Sequence, residues 1–390
     1  MISAMNDGKF RTPSPEIRRT STVLFGSIAE LRAALGATKA GDRTFSTYGT
    51  HGTPTTAELE ALLLAGEGGA GVELSSSGLA GIAIAMLAVL RAGDHLLVTD
   101  SAYGPTRDFS TGMLTGLGVD VEFYDPLVGG GIAALIRPTT KLIWIESPGT
   151  HTFEVQDVPS IVAAARAADH HVVTAIDNTW GSPGLLRPFD LGVDISVVAL
   201  TKYWGGHADL LMGATFANEA LLPAIRESAR LTGSAVSGED AFLVIRGART
   251  VDLRIREQGA SALELATRLA EHPRIGRVLH PALPGDPGQA MFARDFHGSS
   301  GLFSFELQRA DGSPTDQPDA DAVTDRLVAL GRFGLGYSWG GFESLIMPGR
   351  WSGLARAVRP WLGGPLLRVS IGLDPVEELW SDLEAALAEG

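Results

Sequence analysis

Any chemistry in this chain would centre on Lys202. It closes the apolar run ISVVAL, with Thr201 directly before it and Tyr203, Trp204, two glycines, His207 and Asp209 after it. A lysine at the end of a buried strand has two ways to exist. Its stem crosses the surface and its head reaches water, or burial lowers its pKa and leaves a neutral amine able to attack a carbonyl. Asp177 ends a second strand-like run, HHVVTAID, twenty-five positions earlier. On a parallel sheet the two strand ends point at one rim. Asp177 reads either as a turn or cap acid, since Asn178 and Thr179 follow, or as the partner of a protonated ring nitrogen. An amine and an acid placed this way meet the needs of an aldehyde cofactor with a pyridine ring, such as pyridoxal phosphate. The lysine holds the aldehyde carbon and the acid keeps the ring protonated.

Other residues fit around that pair. Arg368 stands among apolar neighbours in LLRVSIG. A buried arginine needs an anion, either an internal acid or the carboxylate of a bound amino acid. The turn Ser75-Ser76-Ser77-Gly78-Leu79 opens an apolar helix and is either a plain helix start or an anion site built from free N–H groups. Tyr103 lies just past the strand HLLVT, as rim packing or as a working ring. The stretch Tyr48-Gly49-Thr50-His51 is an exposed linker or a cofactor-contacting arm. Ser338 and Trp339, in GYSWGGFESL, belong to a structural loop or to a turn facing substrate. His207 and Asp209 suggest a metal pair, but no third ligand sits nearby and no HExxH run exists, so His207 reads as a structural histidine in the turn after Lys202 and no metal is expected.

The elements that position these groups follow from periodicity. Strands are expected at 71–74, 95–99, 119–124, 141–146, in the run ending at Asp177 and in ISVVAL. Helices come between them, at 56–65, after Gly78, from Thr106 and at 158–168. This alternation from 70 to 215 describes an α/β domain on a mostly parallel sheet. Before it come a loose tail, 1–12, and a short helix at 27–35 capped by Ser27. After it a long helix, 252–271, leads to alternating strands at 301–307 and around Arg368, with a polar surface insertion at 311–321. The expected division is an N-terminal arm, 1–56, a large domain, 57–250, and a smaller α+β domain, 251–390.

The 390 residues suffice for two cores. A net charge of -14 with no basic cluster argues against nucleic acid. Cysteine is absent, which removes disulfides and thiolate metal sites and fits a reducing, cytoplasmic setting. The start is polar and resembles no signal peptide. The most apolar segment, 78–90, is short of a membrane span.

The run Asp177-Asn178-Thr179 with Pro183, then Thr201-Lys202-Tyr203 and Gly206-His207-x-Asp209, resembles the pyridoxal-phosphate enzymes of cysteine and methionine metabolism, and within them the bacterial beta-lyase branch. The resemblance extends from about Pro15 to Leu387. It implies the type I, transferase-like fold of pyridoxal-phosphate enzymes. It implies Lys202 as the cofactor's attachment point and, with Tyr103, as the catalytic pair. Gly78, Leu79, Tyr48 and Thr201 would help hold the cofactor, Asp177 would meet its ring nitrogen, and Tyr103 would stack on the ring. Tyr48, Ser338, Trp339 and Arg368 would contact substrate, with Arg368 on its α-carboxylate. Tyr48 would reach a neighbouring subunit's site, so the resemblance implies a homo-oligomer, a tetramer of site-sharing dimers. The family usually places arginine two residues after that tyrosine; here Thr50 brings no charge. The implied reaction is β-elimination of an amino-acid thioether, L-cystathionine, to homocysteine, pyruvate and ammonia. The alternatives within the family are cystathionine gamma-lyase or gamma-synthase, methionine gamma-lyase and O-acyl-homoserine sulfhydrylase; outside it stands a catalytically silent binding protein.

Overall fold

A computed structural model describes residues 12–39, 41–42, 46–349 and 356–388; most of the expected N-terminal tail lies outside them. Seven strands form the first sheet: β1 (Gly71–Ser75), β2 (His95–Thr99), β3 (Asp120–Tyr124), β4 (Thr140–Glu146), β5 (Val173–Asp177), β6 (Ile195–Ala199) and β7 (Gly213–Ala217), in the order β1-β7-β6-β5-β4-β2-β3. The pairings from β6 to β3 are parallel, whereas β7 is antiparallel to both its neighbours. A parallel sheet is covered on both faces, which is why these strands read as continuous apolar runs. The helix Gly78–Val89 packs on one side through Ile82, Ala85 and Met86; Ile161, Val162 and Ala165 of Val158–Arg166 pack on the other.

A second sheet has the order β10-β11-β12-β9-β8, from β8 (Ile275–Leu279), β9 (Leu302–Leu307), β10 (Phe333–Leu335), β11 (Ser344–Gly349) and β12 (Leu366–Ser370). The sequence suggested alternating burial for the strands of 301–307 and of Arg368. Both are buried at every position. Helices lie over one face, and the other abuts the first sheet's layer, where Trp180 Nε1 donates to Leu302 O at 3.2 Å and Tyr203 Oη accepts from Gly301 N at 2.9 Å. The segment expected as a surface insertion ends in a helix. Asp316 accepts from Asp319 N and starts Gln317–Leu330, with Pro318 in its first turn, where a missing N–H costs nothing.

Two buried carboxylates tie distant segments together. Asp100, after β2, accepts from the Val358 and Arg359 N–H groups, each at 2.9 Å, and from Arg107 at 2.8 Å. These bonds hold its carboxyl below the usual range although burial opposes them. Glu67 ends the helix Pro54–Glu67 and accepts from Asn178, Ser182 and Ser196 at 2.6–2.7 Å. Here burial outweighs the hydrogen bonds and pushes the carboxyl up.

Candidate active site

A cavity of about 240 Å³ opens between the two sheets at the C-terminal ends of the parallel strands, the position expected of an α/β ligand site. Lys202 does not lie in a strand: β6 stops at Ala199, and a turn fixed by Lys202 N to Ala199 O at 3.1 Å carries the lysine over the rim. Its Nζ donates to Ser338 Oγ at 3.0 Å and stands 5.2 Å from the Trp339 ring centre. Burial first, then Arg368, lower its pKa to about 8 against the opposing pull of Asp177. Of the two readings of this lysine, the low-pKa amine is the one the geometry supports.

Asp177 ends β5, which pairs in parallel with β6. Its Oδ1 accepts from the Thr179 N–H at 3.0 Å and the Thr179 hydroxyl at 2.6 Å. Burial pushes its carboxyl up. A buried carboxylate with both hydrogen bonds on one oxygen is suited to a cationic ring N–H at the other.

At the next rim position Ser77 caps the helix Gly78–Val89, accepting from Ala80 N at 3.2 Å. The N–H groups of Gly78 and Leu79, ahead of that bond, line the cavity as ready anion donors. A Cβ on Gly78 would come within 2.7 Å of Ala199 Cβ, so only glycine lets the helix start this close to β6. Thr201 lines the cavity too, while its hydroxyl bridges the Met212 C=O and N–H at 3.2 and 3.1 Å. An anion cradle, a low-pKa amine and a buried acid therefore fit the phosphate, aldehyde and ring nitrogen of pyridoxal phosphate.

Arg368, on β12, is 9% exposed, and burial lowers its pKa to about 10. No acid partners it among the described residues. Its Nη2 donates to the carbonyls of Tyr337 and, at 3.3 Å, Ser338, and its Nε is buried with no hydrogen-bond partner among the described residues. A guanidinium with a donor left open is suited to an incoming carboxylate.

Tyr103, 44% exposed, lines the cavity from the residue before the short helix Gly104–Asp108. Tyr48, 50% exposed, does not line it; it bridges to Thr22 and precedes the turn Gly49–His51 that contains Thr50. His207 bonds the Gly205 carbonyl at 2.7 Å, and no metal-holding cluster occurs among the described residues.

Three features at or beside the cavity escaped the sequence reading. Glu146, ending β4, accepts from Tyr103 N at 2.7 Å and Thr150 Oγ1 at 2.6 Å. Burial and the nearby Asp177 push its carboxyl up. His151 lines the cavity from a left-handed backbone, and Arg356 clamps that loop through Glu154 at 2.6 Å and through Thr152. The ESPG run before Thr150 is the sequence signal that could have pointed to this turn.

Set against known proteins, residues 2–388 match the family described as Cys/Met metabolism PLP-dependent enzyme. The chain is 44% identical to a protein named putative cystathionine beta-lyase from Rhizobium johnstonii, over 96% of this chain and 91% of that one. It is 40% identical to cystathionine beta-lyase MetC of Escherichia coli, over 95% and 92%. A crystal structure of cystathionine gamma synthase from Xanthomonas oryzae pv. oryzae, in complex with aminoacrylate and cysteine, superposes with a TM-score of 0.86 at 30% identity, covering 98% and 94%.

Proposed function

From a chain that belongs to the Cys/Met metabolism PLP-dependent enzymes, and so has their type I fold and their cofactor, we propose a carbon–sulfur lyase that cleaves L-cystathionine by β-elimination to homocysteine, pyruvate and ammonia. The observation that carries the reading is the meeting of Lys202 with Ser338 and Trp339: the loop of the second sheet reaches the buried amine itself. Relatives named beta-lyase, at 40–44% identity, support β- over γ-cleavage. The gamma synthase structure, whose fold matches over nearly the whole chain, supports a second reading, γ-replacement.

Pyridoxal phosphate, when bound, supplies an electron sink for negative charge at the substrate Cα. The chain's residues do the rest. Gly78 and Leu79 would hold the cofactor's phosphate through their N–H groups, and Asp177 would meet its ring nitrogen. Arg368 takes the α-carboxylate and so turns the Cα–H toward Lys202. Lys202, neutral in a useful fraction near its pKa of about 8, takes that proton. The Cβ–S bond then breaks, sulfur leaves as a thiolate, which takes up a proton, and the released aminoacrylate takes up one water to give pyruvate and ammonia. Trp339 would shape the approach of the Cβ–S bond, and Tyr103 would cover the ring. Tyr48 completes the site of a second subunit in a homotetramer, which is why it stands outside the cavity of its own chain. No helix among the described residues is long and apolar enough to cross a membrane, and the cytoplasm is the compartment we assign.

The test is the keto acid released from L-cystathionine by the holoenzyme. Pyruvate supports β-elimination. 2-Oxobutyrate moves the protein to γ-elimination, and neither, until a second thiol substrate is added, moves it to a synthase.

A further inference from the structure

We propose that Glu146 is a positioning residue for the cofactor ring, a protonated carboxylic acid that holds Tyr103 in place and leaves Asp177 as the one anion of that rim. The inference rests on the cofactor, and not on which carbon–sulfur bond is cleaved.

The first observation is adjacency. β4 and β5 pair in parallel with Glu146 opposite Asp177. Both residues line the cavity, so two carboxyls share one rim that is largely closed to water. Carboxyls sharing such a site do not both ionise, and one of them keeps a proton.

The second observation is where hydrogens are available. Asp177 Oδ1 accepts from the Thr179 N–H at 3.0 Å and the Thr179 hydroxyl at 2.6 Å. That hydroxyl is buried and accepts from Ala199 N at 2.9 Å, so its own hydrogen goes to Asp177. Oδ1 is thus an acceptor twice over, and Oδ2 is the oxygen left for the ring N–H. Asp177 has no oxygen on which to keep a proton once the cofactor is bound. Glu146 differs. Its Oε2 accepts from Tyr103 N at 2.7 Å, and its Oε1 lies 2.6 Å from Thr150 Oγ1. A hydroxyl receives a hydrogen as readily as it gives one. Thr150 is half-buried at the cavity wall and can turn its own hydrogen into the cavity. The proton of the pair therefore sits on Glu146 Oε1.

The third observation is what this carboxyl holds. Tyr103 and Thr150 belong to two rim loops, one after β2 and one after β4, and Thr150 N donates to Ser101 O at 2.9 Å. Glu146 joins both loops, and it grips the first at the residue whose ring would cover the cofactor. The titratable and charged groups around it are Asp177, Tyr103, His151 of its own turn, Arg356, which is paired with Glu154 at 2.6 Å, and Lys202 and Arg368 of the same cavity. Burial and Asp177 push the Glu146 carboxyl up, against the pull of its hydrogen bonds and Arg356. A second anion at this rim would also oppose the phosphate and the carboxylate that the cavity has to admit.

The experiment starts with infrared difference spectroscopy of the holoenzyme at neutral pH, parent minus Glu146→Gln. Glutamine keeps an acceptor for the Tyr103 N–H and a donor toward Thr150, so this variant folds. The expected result is the C=O stretch of a protonated carboxylic acid, present in the parent and lost in the variant. Carboxylate stretches in its place would overturn the assignment. Cofactor affinity is then measured by titrating apoenzyme with pyridoxal phosphate and following tryptophan fluorescence. Glu146→Ala should bind about tenfold more weakly, the size of one buried hydrogen bond, whereas Glu146→Gln should stay within about threefold of the parent. Equal losses in the two variants would show that a negative charge is what the site needs and would overturn the neutral state. Unchanged affinity in Glu146→Ala would overturn the positioning role. If Glu146→Ala does not fold, the infrared spectrum and the affinity of Glu146→Gln decide the matter by themselves. Neither measurement involves turnover, so a parent protein that releases no keto acid would sink the lyase reading and leave this one standing.

Discussion

Replacing Arg368 by lysine keeps a positive charge on β12 and removes the planar fork. In the structure the guanidinium has two tasks on two sides. Nη2 fastens the loop carbonyls of Tyr337 and Ser338, and Nε stays buried and open. A lysine has one nitrogen and can serve only one task. If it takes the loop carbonyls, the substrate loses a charge-assisted hydrogen bond of roughly 1.5–3 kcal/mol, equivalent to about 10- to 150-fold in kcat/KM. If it takes the carboxylate, the loop that brings Ser338 to Lys202 comes loose, and the loss falls on kcat through misalignment of the Cα–H. Both routes lower kcat/KM, so the expectation for Arg368→Lys is a fall of at least about tenfold with KM raised. The assay is the steady-state kinetics of keto-acid release from L-cystathionine with saturating cofactor, with cofactor content checked by absorbance. A kcat/KM within about threefold of the parent, with KM unaltered, would show that the guanidinium only braces the loop.

Two further expectations follow from the site. Covalent attachment of cofactor to apoenzyme needs the neutral amine, which the fold favours as pH rises through about 8; the attachment rate should climb through that point and level off above it, and in Arg368→Gln the midpoint should move upward because a depressing cation is gone. A midpoint near the ordinary lysine value in the parent would contradict the burial argument. Mixing Tyr48→Phe with Lys202→Ala chains should recover activity that neither has alone, because one hybrid site then carries neither lesion, whereas full activity in a monomer by light scattering would rule out the shared site.

Much of this site was legible because its parts sit at strand ends. Asp177 and Lys202 are twenty-five residues apart, yet β5 and β6 pair in parallel and bring them to one rim, as the apolar runs before each implied. Ser77 and Gly78 were legible as a helix start because cap chemistry is local. What failed to show was whatever depends on several chain segments at once. Arg368 was legible as a buried cation that needs an anion, but its hold on the 336–338 loop was not, because the partners there are main-chain carbonyls, which carry no sequence signature. Glu146 read as a strand end; its bond to the Tyr103 N–H spans 43 positions. The strands expected to alternate did not, because the second sheet is covered on both faces, and period-two patterning reports only a sheet with one wet face. Asp311 and its polar neighbours concealed a helix start, since Asp and Pro serve loops and first turns equally.

The buried Glu67 also bears on the order in which the chain can be assembled. Its partners Asn178, Ser182 and Ser196 lie 111, 115 and 129 residues later, and Ser182 in turn receives the Trp204 indole N–H at 2.9 Å. Asn178 adjoins Asp177, and Trp204 lies two residues past Lys202, the acid and the amine of the proposed cofactor site. During synthesis the helix Pro54–Glu67 therefore carries a carboxyl with nowhere to be buried until Ser196 has emerged, and long-range closures of this kind form late. The ground beneath the cofactor is laid only when the start of the chain comes back to meet its middle, so the nascent large domain has no site to load before then.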